Sequence, residues 1–127
     1  MCIRDSIVAD QFGAPTSATH LAHALLSLAN AWEKGQDIFG VYHFSGQPYG
    51  TWFDFAGVIF EEAHKAQLID SIPELKAITT EEYPVPAERP KNSRLECSKI
   101  MTLLPHLRND WKDEVERCVN VLKEEGF

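Results

Sequence analysis

An α/β fold is predicted for this chain, and three observations predict it. Short β-branched or aromatic runs alternate with stretches of helical periodicity. Loops rich in Gly and Pro separate the two kinds of segment. A hydroxyl or carboxylate residue stands before each long amphipathic run, where a helix N-cap belongs.

In chain order, Ser6 to Ala9 is read as the end of a strand, with Ile7 and Val8 β-branched. DQFGAPT, residues 10–16, is then a shaped loop. Thr16 or Ser17 can cap the first helix, because either hydroxyl can accept from an orphan backbone N–H. Leu21, Leu25, Leu28 and Trp32 mark its expected inner face, and Gly35 supplies a left-handed stop. Phe39 to Phe44, FGVYHF, is expected as a short strand, followed by the turn-rich SGQPYG. A second helix should start near Thr51, with Asp54 as its capping-box partner and Phe55, Val58, Ile59 and Ala63 inward. Ala77 to Thr80 is a third candidate strand. YPVPAERPKNSRL has three prolines within its first eight residues and should be extended. Ser98 to Leu104 reads as a short helix. Asp110 should cap the last helix, with Trp111, Val115, Cys118, Val119 and Leu122 facing in.

Composition narrows the functions. At 127 residues the chain is one domain or part of one, with 44% apolar and 24% charged residues. A net charge of −7 gives no basic field for nucleic acid or an anionic membrane. No apolar stretch approaches the roughly 18 residues of a membrane span. Three cysteines without C-x-x-C spacing argue for a reducing cytosol rather than a disulfide framework or a zinc site.

The usual catalytic motifs are missing. The seven glycines form no dinucleotide or Walker loop, and none of the three tyrosines has a lysine four residues on. Such a Tyr-Lys pair would lower the phenol pKa for acid catalysis. No catalytic, cofactor-binding or metal residue is therefore assigned. His20 and His23 lack a third ligand of suitable spacing. Glu61 with Glu62 and Glu124 with Glu125 read as solvated helix faces, and Cys97 as a small core thiol.

Two stretches can carry chemistry. DQFGAPT places a glycine and a proline before a helix N-terminus, which can hold an anion or can simply end a strand-to-helix connection. Arg89, Lys91 and Arg94, with Asn92 and Ser93 between them, concentrate cations and hydrogen-bonding groups in an otherwise acidic chain. They suit phosphate, or form a solvated loop.

These stretches also carry a resemblance. DQFGAPTSATHLA, FGVYHFSG, TWFDFAGVIFEEA, EYPVPAERPKNSRLECSKI and NDWKDEVERCV resemble, in that order, the C-terminal part of the dTDP-4-dehydrorhamnose reductase family. The likeness runs from about Ile7 to the end of the last helix. That family belongs to the extended short-chain dehydrogenase/reductases, and reduces a dTDP-4-dehydro-sugar with NADPH. The resemblance implies that 7–127 is the C-terminal substrate-binding portion of that fold, with the Rossmann domain mostly absent. Met1 to Ser6 does not resemble the family and is expected to be a non-native leader.

The resemblance further implies a cytoplasmic protein that shapes a dTDP-sugar site, while NADPH is bound by the missing N-terminal Rossmann portion. This chain alone should be inactive. A homodimer and magnesium at a subunit contact remain open. Arg89-Pro90 stands where related reductases carry an arginine that meets the substrate diphosphate, so Arg89 is the leading substrate ligand. Asn92, Ser93 and Arg94 follow, with Gln11 and Thr16 as polar contacts near the nucleotide. Phe12 can stack on a base or merely pack. Two other functions fit a reductase-like chain without its catalytic pair. One is a non-catalytic binding subunit, as in the methionine adenosyltransferase regulatory subunit. The other is a free-standing interaction domain.

Overall fold

The computed structural model describes residues 5–126. Of the expected leader, Met1 to Arg4 lies outside the described residues, and Asp5 and Ser6 begin the first strand. Strand β1 (Asp5–Val8) leads to the two-residue β2 (Phe12–Gly13) and helix α1 (Ala18–Glu33). A long connection reaches β3 (Gly50–Thr51) and α2 (Trp52–Lys65), followed by β4 (Leu75–Ile78). The chain then runs extended to α3 (Ser98–Leu103) and α4 (Trp111–Glu124). β1 pairs with β4 in parallel, Ile7 opposite Ala77. β2 pairs antiparallel with β3. The architecture is the mixed α/β one expected.

Cap chemistry sets the helix ends. Ser17 rather than Thr16 caps α1, its Oγ accepting from His20 N at 3.3 Å. Gly35, at φ +80°, closes the same helix in a Schellman turn, with Gly35 N donating to Trp32 O and Gln36 N to Ala31 O. Thr51 and Asp54 form the expected capping box on α2. Asp110 caps α4.

The core is small. Ala24, Cys97, Ile100, Leu104 and Leu107 form its centre, with Leu28, Tyr42 and Phe44 packed around them. Cys97 is the core thiol anticipated. A second focus is Trp111, 2% exposed, whose ring meets Phe55 edge-on at 5.5 Å.

Three expectations are corrected. Phe39 to Phe44 is not a strand: Tyr42 and Phe44 are partly buried while Phe39 and Val41 face outward, and no described strand lies beside them to complete a ladder. Of the leucine stripe expected on α1, Leu28 packs against the core, while the buried residues of the helix are His20, Ala24 and Ala31. Leu21, Leu25 and Trp32 are exposed, because the two alanines let the helix sit close to the core while these larger side chains lie on the adjoining flank. On α4, Cys118 and Leu122 are exposed, and only Trp111 and Val119 are buried.

Candidate functional site

Residues 10–16 and 89–94 lie side by side. Phe12 N donates to Lys91 O at 2.9 Å, and Ser93 N donates back to Phe12 O at 2.8 Å. Ser93 Oγ donates to the same carbonyl. This is a bridge of parallel type between Phe12 and Asn92, and it fixes the two stretches far apart in sequence as one surface. Sequence spacing alone does not reveal it, because no turn or repeat joins the two segments.

Beside this bridge is a cleft of about 220 Å³, lined by Gln11, Phe12, Pro15, Trp52, Arg89 and Ser93 among others. A second, wider one of about 400 Å³ is walled by β1 residues with Gln11, Trp52, Tyr83, Val85 and Arg89. Gln11, Trp52 and Arg89 line both, so they stand at the junction.

The three cations of the loop differ in what they meet. Lys91 Nζ is 3.0 Å from Glu81 Oε1 and 3.3 Å from Asp10 Oδ2, so its charge is already matched. The Thr80 hydroxyl above all, then Lys91, hold the Asp10 carboxyl below the ordinary range. Arg94 lies over the rings of Phe12 and Tyr49, 5.8 and 5.7 Å from their centroids, and its Nε donates to Asn92 Oδ1. Among the described residues Arg89 has no ion pair and no hydrogen bond, and it is exposed at the junction. Arg94 has no carboxylate partner either, but its Nε is taken by Asn92 and it lies over two rings, so Arg89 is the less engaged guanidinium of the loop among the described residues.

The polar candidates also separate. Gln11 and Ser93 line a cleft with Arg89. Thr16 Oγ1 instead accepts from Gly46 N at 3.2 Å, tying the first loop to SGQPYG. Asn92 Oδ1 accepts from both the backbone N and the Nε of Arg94. Trp52, Tyr83 and Val85 were not anticipated as site residues. The available signal was the aromatic density of TWFDF directly after a cap, but a core helix begins the same way.

Among the described residues dinucleotide phosphates find no glycine cradle. The glycines at positive φ are Gly35, Gly40 and Gly126; two of them follow helix ends, and Gly40 lies in the connection before β3. None opens a helix, so these residues do not fit NADPH. Among the described residues no three His, Cys, Asp or Glu side chains gather to hold a metal ion. No described helix is long and apolar enough to cross a membrane.

Residues 4–124 match the family model described as RmlD substrate binding domain. The chain belongs to that family. It is 39% identical over 107 residues to dTDP-4-dehydrorhamnose reductase of Aggregatibacter actinomycetemcomitans, covering 84% of this chain and 36% of that protein. The same enzyme of Escherichia coli K12 is 38% identical over 117 residues, covering 92% and 39%. The crystal structure of dTDP-4-dehydrorhamnose reductase from Bacillus anthracis in complex with NADP superposes with a TM-score of 0.71 at 30% identity, covering 90% of this chain and 37% of that one. The ortholog from Clostridium acetobutylicum gives 0.70 at 30%, covering 94% and 40%. This member of the RmlD substrate binding domain family thus spans well under half the length of these relatives.

Proposed function

We propose that this chain is the substrate-binding portion of a dTDP-4-dehydrorhamnose reductase, and that Arg89 holds the diphosphate of the dTDP-sugar. The observation that carries this reading is the open guanidinium at the junction of two clefts, beside a neighbour, Lys91, whose charge is already matched. Guanidinium presents two parallel N–H donors to a phosphate, and Pro90 restricts the backbone next to it. Gln11 and Ser93 supply further polar contacts along the same wall. Thr16, Asn92 and Arg94 hold the loops in place rather than meeting ligand first.

In this reading the C4 ketone of dTDP-4-dehydro-L-rhamnose is reduced to the alcohol with hydride from NADPH. The residues that bind NADPH and move the proton belong to a Rossmann portion outside this chain. What the chain does is bind and orient the nucleotide-sugar. Leu25, Leu26, Trp32, Phe39 and Val41 are 60–84% exposed, and that uncovered apolar surface supports the Rossmann portion as partner.

Titrating the chain with dTDP-L-rhamnose and, separately, with NADPH tests this. Saturable binding of the sugar nucleotide and none of NADPH is expected. Tight NADPH binding, or no binding of the sugar nucleotide, would overturn the reading.

A further inference from the structure

A second arginine lines a cleft without a partner. Of the described arginines, Arg117 is matched by Glu114, and Arg94 donates to Asn92. Arg108, like Arg89, makes no ion pair and no hydrogen bond among the described residues. Its cleft, of about 570 Å³, shares no residue with the two described above. His23, Ser27 and Asn30 of α1 form one wall, and His106 and Arg108, between α3 and α4, form the other. None of these five side chains has a hydrogen-bond partner among the described residues. No carboxylate lines the cleft, although the chain has 19 acidic residues and a net charge of −7. Leu26 and Leu107 supply its apolar surface.

The two walls are held together from beneath. Ala24, next to His23, and Leu107, between His106 and Arg108, belong to one buried cluster. Leu107 N donates to Leu104 O, and the following Asn109 accepts from Gln47 N and donates its amide to Ser45 O. His106 and Arg108 therefore flank a buried anchor on a tethered segment. His23, Ser27 and Asn30 recur at spacings of four and three, so they share one flank of α1. Leu25 and Trp32, part of the apolar surface given above to the Rossmann portion, lie roughly 160° away around the helix. A partner seated on them leaves the cations reachable.

This lining selects an anion. The Arg108 guanidinium offers two parallel N–H donors to phosphate oxygens, and the imidazoles, the hydroxyl and the amide add donors around it. A divalent metal would face the Arg108 charge with no carboxylate to offset it. The cleft falls within the range of roughly 300–1,000 Å³ usual for small-molecule sites, and its two leucines suit an apolar body attached to the phosphate. We propose that this cleft binds a small organic phosphate monoester through Arg108, His23 and His106, at a site separate from the one assigned to Arg89.

Titration of the chain with phenyl phosphate at constant pH, followed through its imidazole proton resonances, tests the site. The His23 and His106 signals should move together and saturate below about 10 mM, while those of the exposed His43 and His64 stay. Arg108→Gln, with folding checked by circular dichroism, should weaken phenyl phosphate roughly ten- to a hundredfold and leave dTDP-L-rhamnose within about twofold. Arg89→Ala should do the reverse. His23 and His106 signals that do not move, or that move as readily in Arg108→Gln, overturn the site. So does loss of phenyl phosphate binding in Arg89→Ala alone, because the ester would then be reporting the diphosphate cleft. Inorganic phosphate that binds as tightly as phenyl phosphate overturns the assignment to an ester. If Arg89→Ala leaves dTDP-L-rhamnose binding unchanged while Arg108→Gln abolishes the histidine shifts, this site stands and the diphosphate reading of Arg89 falls.

Discussion

Gly46 is where SGQPYG meets the loop of residues 10–16. A Cβ built there would lie 1.9 Å from Pro15 O, a backbone atom that cannot swing aside. Its N–H also donates to Thr16 Oγ1, so one contact sets both the spacing and the register of the loops. Gly46→Ala should lower the melting midpoint by about 10 °C, from roughly 2–3 kcal/mol of overpacking in a domain of this size. A midpoint within two degrees of wild type would mean the loops are free to part. Arg89 and Gln11, which line one cleft, stand out in the sequence because a cluster of cations and a glycine- and proline-shaped loop are unusual in this acidic chain. Trp52 and Tyr83 do not. An aromatic residue that opens an amphipathic helix, or sits among prolines, looks the same whether it packs inward or lines a cleft. The partners that make Thr16, Asn92 and Lys91 holders of the loops are also remote in sequence or depend on the fold, as with Gly46 and Asp10.

At the scale of elements, Glu114 joins the start of α1 to α4. It accepts from Ser17 Oγ at 2.8 Å and from Arg117, and lies 3.4 Å from His20 Nε2. The Arg117 hydrogen bonds, then those of Ser17 and the His20 charge, outweigh desolvation and hold its carboxyl below the ordinary 4.5. A depressed folded pKa means that the ionised form favours the fold. This stabilisation is complete above about 4.5, the unfolded value, and is lost as pH falls through the lower folded one. Glu114→Gln should therefore be less stable than wild type at pH 7, and the gap should narrow in melts taken below pH 4.5. A gap that does not change with pH would assign Glu114 a neutral packing role. The helices themselves were legible, because the caps Ser17, Thr51 and Asp110 each accept from a backbone N–H within three residues. Phe39 to Phe44 was misread because a strand requires a neighbour, and alternation within one segment cannot supply it. For α1, Leu28 belongs to both possible stripes, so periodicity located the helix without saying which flank turns in.

The whole molecule has a core centred on α3 and the inner face of α1, and a broad exposed apolar flank. A parallel two-stranded pair, β1 with β4, is joined through both α1 and α2. The open guanidinium lies beside β1, at the edge of that pair and the start of α2, where three segments distant in sequence converge. Convergence of this kind would suit a binding wall, and the bridge between Phe12 and Asn92 holds two of the segments together. The central claim is that this wall meets a diphosphate through Arg89. The most direct test is the affinity of dTDP-L-rhamnose for the wild-type chain, Arg89→Ala and Arg89→Lys, measured by titration calorimetry with folding checked by circular dichroism. Arg89→Ala should lose roughly ten- to a hundredfold, the worth of charge-assisted hydrogen bonds to phosphate. Arg89→Lys should recover only part of that, since an ammonium cannot reproduce the two-pronged contact. Folded variants that bind within twofold of wild type would contradict the claim and leave Arg89 a surface residue.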